Sequence, residues 1–251
     1  MATWNAQTYL KFSGERLRPA LDLMAQIPLE APQTIIDLGC GPGNVTHILS
    51  ERWAGADISG VDSSSNMLEK AAVTYPSLTW KQEDVATWQA DVAPDILYSN
   101  ACLHWLDDHE TLFPKLLKQV KPQGVLAVQM PNNFAAMTHQ AIRDVLGENH
   151  PLSPKYPVHE ARDYYDWLNN ECTSLNIWET TYMHILEGEN PIADWTKGAA
   201  LRPVLDGLSD EAERAEFEAK YRALILDAYP KSANGKTVLP FKRLFIVAVR
   251  G

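Results

Sequence analysis

The sequence predicts an α/β protein: a doubly wound, mostly parallel seven-stranded sheet with helical insertions in its second half. Three observations carry this. Short apolar or β-branched runs alternate with segments of helical spacing from Thr34 to Gln129, the pattern of a parallel sheet built from strand–helix crossovers. One such run, Thr34-Ile35-Ile36-Asp37-Leu38, opens directly into Gly39-Cys40-Gly41-Pro42-Gly43-Asn44. Glycines there let the backbone adopt conformations, and approach a ligand, as no side chain would allow. After Met130 the alternation stops, and two long strand-like runs, 175–186 and 238–249, are separated by helical segments.

In chain order, the opening segment 4–18 mixes aromatics with Arg16 and Arg18. Pro19 suits the first turn of a helix over 20–27, with Leu21, Met24 and Ile27 at helical spacing. Thr34–Leu38 reads as the first strand, Asn44–Arg52 as a helix, and Asp57–Asp62 as the second strand. Ser63, Ser64 and Ser65 are N-cap candidates for a helix carrying Met67, Leu68 and Ala71. Strands follow over 78–82, 95–99 and 124–129. Between the last two, a helix with Leu112, Leu116 and Leu117 on one face ends near Lys121-Pro122, with Lys118 and Lys121 complementing its dipole. In the second half 160–168, a short segment from Pro191, and 210–228 read as helices, and Pro240 marks a bulge or edge position in the final strand. The expected organisation is one domain over 1–251, with an N-terminal lid segment and helix over 1–30. Helical substrate-cap insertions are expected within 131–236, because insertions above such a sheet are where substrate selection is placed.

The formal net charge is −10 and no run of Lys and Arg interrupts it, which argues against nucleic acid or an anionic membrane surface as partner. A small anionic substrate remains compatible, since a few local Arg residues outweigh a distant, screened acidic surface. Cys40, Cys102 and Cys172 are far apart and odd in number, so neither a disulfide framework nor a metal site emerges. The start is polar, without a basic-then-apolar leader, and apolar stretches such as 125–128 and 244–249 are too short to span a bilayer. A reduced, cytoplasmic enzyme without metal is expected. With no exposed heptad in the sequence, a monomer is expected too.

The acidic and polar residues that follow each strand give the glycine turn its meaning. Asp62 ends the second strand roughly twenty residues beyond the turn, where a carboxylate can accept bonds from both ribose hydroxyls of a nucleotide-like ligand. Its competing role is a helix N-terminal carboxylate, since Ser63 and Ser64 follow at once. After the fourth strand comes Asn100-Ala101-Cys102-Leu103-His104-Trp105. Asn100 suits a strand-end contact. His104, between apolar neighbours, reads as a packed histidine rather than a base, and Trp105 either walls a ligand site or fills the core. Cys40 reads as a small space-filler. A dinucleotide fingerprint requires Gly-x-Gly-x-x-Gly. Here the third glycine falls one residue early, at Gly43, and Asn44 stands in its place, which disfavours a nicotinamide oxidoreductase.

The segment 34–44 resembles the first motif of the class I S-adenosylmethionine (SAM) methyltransferases, a Rossmann-like superfamily, and Asp62, Asp84 and Asn100 follow in the order expected there. The resemblance implies cofactor contacts from Asp37, Gly39, Gly41, Asp62, Ser63, Met67, Asn100 and Ala101. It implies Asp84, with Glu83 as rival, for the adenine amino group, and the Val85 N–H for a ring nitrogen. Tyr9 and Phe12 would fold over the cofactor, and S-adenosylhomocysteine would be the product.

Further segments narrow the resemblance: Trp4-Asn5…Tyr9…Phe12-Ser13…Glu15-Arg16…Arg18-Pro19, Gln129-Met130-Pro131, Trp178…Thr180-Thr181-Tyr182, Gly198…Leu201-Arg202-Pro203 and Arg243-Leu244-Phe245-Ile246-Val247-Ala248. Together they are similar to the trans-aconitate 2-methyltransferase family over nearly the whole chain, 146–160 being the least similar stretch. This implies esterification of one carboxylate of trans-aconitate or a similar small polycarboxylate by in-line methyl transfer. A carboxylate with a pKa of about 4 is already the nucleophile at neutral pH and needs no dedicated base. No residue is therefore assigned as catalytic, and Trp105 and Asn100 are expected to position the reactants. The other carboxylates need cationic or hydrogen-bonding partners: Arg202 first, then Arg16, Arg18 and Lys197, with Tyr182, His139 and His184 as neutral donors. The alternatives are a methyltransferase for a different small or carrier-bound carboxylate, and a non-catalytic SAM-binding protein.

Overall fold

A computed structural model describes residues 13–155, 157–198 and 200–251, with side chains from Leu17 onward. Tyr9, Phe12 and the side chain of Arg16 lie outside the described residues. The chain divides into two units: a larger one of residues 16–131, 157–180 and 243–251, and a smaller one made chiefly of 132–156 and 181–242.

The larger unit opens with helix α1, Ser13–Ala25. Pro19 lies inside this helix rather than at its start, so the helix begins earlier than the proline suggests and ends two residues short of Ile27. There follow β1 (Thr34–Leu38), α2 (Asn44–Arg52), β2 (Asp57–Asp62), α3 (Ser65–Thr74), β3 (Thr79–Gln82), β4 (Ile96–Asn100), α4 (His109–Gln119) and β5 (Val125–Pro131). Ser64, the middle of the three serines, caps α3 by accepting a bond from the Met67 N–H. Later come α6 (Ala161–Leu168) and two long strands, β6 (Cys172–Leu186) and β7 (Thr237–Arg250). Residues 181–186 of β6 and 237–242 of β7 belong to the smaller unit.

Among the described residues the sheet has seven strands in the order β3-β2-β1-β4-β5-β7-β6. β1 pairs in parallel with β2 and β4, and β4 with β5, whereas β7 runs antiparallel to β5. The central strands are apolar runs because both faces are covered: Ile96, Leu97, Tyr98 and Val125 to Val128 are fully buried, each such aliphatic contributing about 1.5–3 kcal/mol. Helices cover them with one apolar face, as with Leu112, Leu116 and Leu117 of α4. Strand order reverses at β1, so the carboxyl ends of β1 and β4 form the crevice where open α/β sheets bind ligands. Pro240 lies three residues beyond the part of β7 paired with β5, where a missing N–H interrupts no bond to that neighbour.

The smaller unit holds α5 (Met137–Leu146), α7 (Pro191–Lys197), α8 (Arg202–Gly207) and α9 (Glu211–Ala228). It has its own apolar core, in which Ile142, Trp195, Leu201, Phe217, Tyr221 and Leu239 pack together. Asp210 caps α9 by accepting from the Glu213 N–H at 2.7 Å. The buried Tyr221 hydroxyl donates within bonding distance of the Thr138 carbonyl (3.1 Å) and lies 3.0 Å from Thr196 Oγ1.

Candidate active site

The glycine turn is held by backbone and by one carboxylate. The N–H groups of Gly39 and Cys40 both donate to the Val61 carbonyl at the end of β2, fastening the turn to the neighbouring strand. Asp62 then clasps two elements: Oδ2 accepts from the Gly41 N–H at 2.8 Å, and Oδ1 from the Ser64 N–H at 2.9 Å. Of the two roles anticipated for Asp62, the bond to Ser64 N–H shows the helix N-terminal one, while each oxygen keeps a second lone pair. Gly41 has a φ of +55°, and a Cβ built there would meet no atom of the described residues within 4 Å. At Gly43, φ +81°, a Cβ would run into the Trp80 ring. Gly43 thus serves the fold, and Gly41 faces open space where bare backbone can meet a ligand.

Asp37 is 2% exposed, and it accepts a bond from Thr46 Oγ1 of α2 at 2.6 Å. Burial, opposed by the Thr46 bond and assisted by Asp62, pushes its carboxyl up to about 7. Thr46 was not singled out in the sequence. Its signal is its place as the third residue of the helix following the turn.

The remaining strand ends converge on the same place. The N–H of Glu83 donates to the Asp62 carbonyl, tying β3 to β2, and Gln82 Nε2 donates to the Ser63 carbonyl at 3.3 Å. Asp84 is exposed and accepts from the Ala86 N–H at 3.0 Å, and Val85 beside it is buried. Met67 is buried and Ser63 exposed. Burial, with Asp62, Asp37 and Asp84 acting on it, pushes the Cys102 thiol up to about 12. Asp62 and Asp84, with Asp37 half-protonated near pH 7, leave this corner electronegative and suited to a cationic ligand. A Cβ at Gly60 would come within 2.8 Å of Cys40 Sγ, which fits the space-filling reading of Cys40.

Asn100 ends β4 with Oδ1 buried and without a hydrogen-bond partner among the described residues, an orphaned acceptor beside the acidic corner. Ala101 has a φ of +54°, a left-handed conformation costing roughly 1–2 kcal/mol for a residue with a Cβ. Its N–H donates to the Gln129 carbonyl of β5 at 2.9 Å. Trp105, in a 3₁₀ turn over Leu103–Trp105, is 53% exposed. It does not fill the core. His104 is buried and its ring lies 4.7 Å from that of Trp105. His109 is closed to base chemistry: one ring nitrogen faces the Tyr164 hydroxyl at 2.6 Å and the other the Leu103 carbonyl at 3.0 Å.

Of the expected substrate cations, Arg18, Lys197 and Arg202 are divided between the two units, each near a carboxylate of its own unit. Arg18 of α1 is exposed and lies 3.8 Å from Asp22. In the smaller unit, Arg202 opens helix α8, with Nε 3.4 Å from Asp206. Lys197 lies 2.9 Å from both oxygens of Glu218. Tyr182 and His184 alternate on the buried face of β6, and His184 stacks on Trp195 at 4.8 Å. His139 is buried, and burial followed by the Arg143 charge pushes it down to about 4, so it is neutral at pH 7.

Two further polar residues belong to motifs quoted above but carried no assigned role. Gln129 of β5 is fully buried, and its Oε1 accepts from a guanidinium nitrogen of Arg243 in β7 at 3.3 Å. No group of three or more metal-ligating side chains occurs among the described residues, and no helix there is long and apolar enough to cross a membrane.

Residues 9–171 match the model of a methyltransferase-domain family. The chain is 44% identical to a trans-aconitate 2-methyltransferase of Methylobacterium nodulans, spanning 100% of this chain and 99% of that one. It is 43% identical, with the same coverage, to proteins of that name from Shigella flexneri and Escherichia coli. Among solved structures it is similar to the YcgJ protein of Bacillus subtilis, with a TM-score of 0.60 at 14% identity, over 93% of this chain and 98% of that one. It is similar too to coclaurine N-methyltransferase bound to N-methylheliamine and S-adenosylhomocysteine, with a TM-score of 0.57 at 14% identity, over 93% and 72%. At such identities these two likenesses speak for the fold.

Proposed function

The chain belongs to the trans-aconitate 2-methyltransferase family, and from that premise we propose that it uses SAM to esterify one carboxylate of trans-aconitate, giving a monomethyl ester. The observation that carries this is identity of 42–44% running the full length of the chain, through the second half that selects the acceptor as well as the glycine-turn half.

The residues at the strand ends fit the cofactor. The open space at Gly41, the lone pairs left on Asp62, the acidic corner and the orphaned Asn100 oxygen suit a ligand with ribose hydroxyls and a positive charge. Asp37, Gly39, Ser63, Met67, Asp84, Val85 and Ala101 complete the surroundings. When bound there, the cofactor would supply an electrophilic methyl group, its sulfur–methyl bond giving way to the oxygen–methyl bond, with S-adenosylhomocysteine as the co-product. For its part the protein aligns the acceptor oxygen and excludes water. The acceptor carboxylate is ionised at neutral pH, which accords with His109 being fully engaged and His104 being buried. Arg202, Lys197, Tyr182 and His139 remain the acceptor contacts proposed within the smaller unit.

Transfer of labelled methyl from SAM to trans-aconitate, cis-aconitate, citrate, isocitrate and a long-chain fatty acid tests the reading. Base-labile labelling of trans-aconitate well above the others is expected. Labelling of the fatty acid alone, or of none while SAM binds, would remove the substrate assignment.

A further inference from the structure

Two motifs that carry the family resemblance, Gln129-Met130-Pro131 and the stretch from Arg243 to Ala248, lie side by side in the sheet: Gln129 pairs with Phe245 and Pro131 with Arg243. Gln129 is also in register with Asn100 across the parallel β4–β5 pair. Residues directly opposite one another share a face, as do residues two apart on one strand. Asn100, Gln129, Phe245 and Arg243 therefore project from the same face. Trp178 extends the row from β6, its ring stacked on Phe245 at 4.7 Å and nearly parallel at 8°. All of these belong to the larger unit.

The polarity of the row is fixed by chemistry. Arg243 can only donate, so the Gln129 oxygen must face it, as the 3.3 Å contact records. The Gln129 amide nitrogen is thereby turned away. It is buried and has no acceptor among the described residues. A buried donor left so costs about 1–3 kcal/mol, which a purely structural pair would leave uncompensated. One strand over, roughly 4.8 Å away, Asn100 presents the reverse: a buried acceptor without a donor.

We infer that Gln129 Nε2, backed by the Arg243 charge, is a binding site for a non-reacting carboxylate of the acceptor, set one strand from the Asn100 oxygen that faces the cationic cofactor. This deepens the proposed function and rests on it. The row changes from acceptor to donor between β4 and β5, which suits a cationic methyl donor meeting a polyanionic acceptor. Phe245 and Trp178 supply an apolar flank that keeps water from competing. A charge-assisted bond to the reacting oxygen would blunt its nucleophilicity, so the site acts on affinity and leaves turnover nearly unchanged.

The test is calorimetric binding of trans-aconitate to the S-adenosylhomocysteine complex, which cannot turn over, together with kcat and KM. Gln129→Glu keeps a partner for Arg243, so the fold is retained, and sets a negative charge against the acid. It is expected to weaken acid binding by about 30-fold or more while binding of S-adenosylhomocysteine holds within about threefold. Arg243→Lys keeps the charge without the planar fork and is expected to raise KM about tenfold with kcat little changed. Either variant, folded and cofactor-binding, that held the acid as tightly as the wild type would overturn the site and reduce the pair to packing with an unseen water. A wild-type complex that bound no trans-aconitate would overturn the functional reading instead.

Discussion

The carboxyl ends of β1, β2 and β4 and the helical unit of 132–156 and 181–242 use charge in opposite ways. At the strand ends the neighbouring N–H groups are engaged within the fold, and what is left for a ligand is a half-buried glycine and carboxylates held near one another. In the helical unit the cations are engaged with neighbours: Lys197 with Glu218, Arg222 with Asp194, and Arg202 with Asp206. A ligand site built from backbone needs only a local turn of the right shape. One built from long side chains depends on which of them their neighbours have already claimed.

The contrast is sharpest in pH dependence, where the largest effects are expected. Asp37 rises to about 7 in the folded chain against 3.8 unfolded, so the folded state holds the extra proton and stability falls as pH rises through that window. Asp37→Asn should remove this penalty, raising stability above pH 7 by at most about 4 kcal/mol and changing nothing below pH 4. His139 falls to about 4 against 6.5, so its contribution is lost in the other direction, as pH drops from 6.5 to 4. His139→Gln should flatten the acid limb by at most about 3 kcal/mol. Thermal melts of both variants from pH 4 to 8 would show the opposed slopes, and parallel slopes would break the comparison.

Asp62→Ala releases the Gly41 and Ser64 N–H groups together. It should weaken SAM binding about 100-fold with a smaller loss of stability, read by calorimetry beside a melting curve. Unchanged SAM affinity would place the cofactor elsewhere. Gly41→Ala introduces a Cβ that meets no atom of the described residues, so stability should drop only by the roughly 1–2 kcal/mol of a left-handed alanine. Its SAM affinity should fall by more than that strain accounts for, and equal losses would mean that nothing lies against Gly41. The smallest effect belongs to Lys197→Ala. Its pair with Glu218 is about half exposed on the Lys side, so stability should change by less than about 1 kcal/mol, and KM for the acid should rise no more than a few-fold.

Much of this molecule was legible along the chain. The alternation from Thr34 to Gln129 announced a parallel sheet, and Asp57–Asp62 and Asn44–Arg52 fall on the boundaries read from the sequence. Pro19 misled, because a proline is read as a first-turn residue and here lies within a helix already begun. The sequence reading put no helix between the short segment from Pro191 and 210–228, yet Arg202–Gly207 forms one.

What the sequence determined by itself is therefore what is encoded within a few residues: the glycine turn, the strand that feeds it, the Asp that closes the next strand, and the caps of α3 and α9. Backbone conformation and hydrogen-bond partners at those places are set by neighbours in the chain. Only the tertiary structure decided that Thr46 holds Asp37, that Trp105 is about half exposed, that Lys197 answers Glu218, and that Gln129 and Arg243, 114 residues apart, meet on one face beside Asn100. Those contacts follow from strand order and register, which bring remote residues within 3–4 Å and bury them together. No local pattern records that proximity.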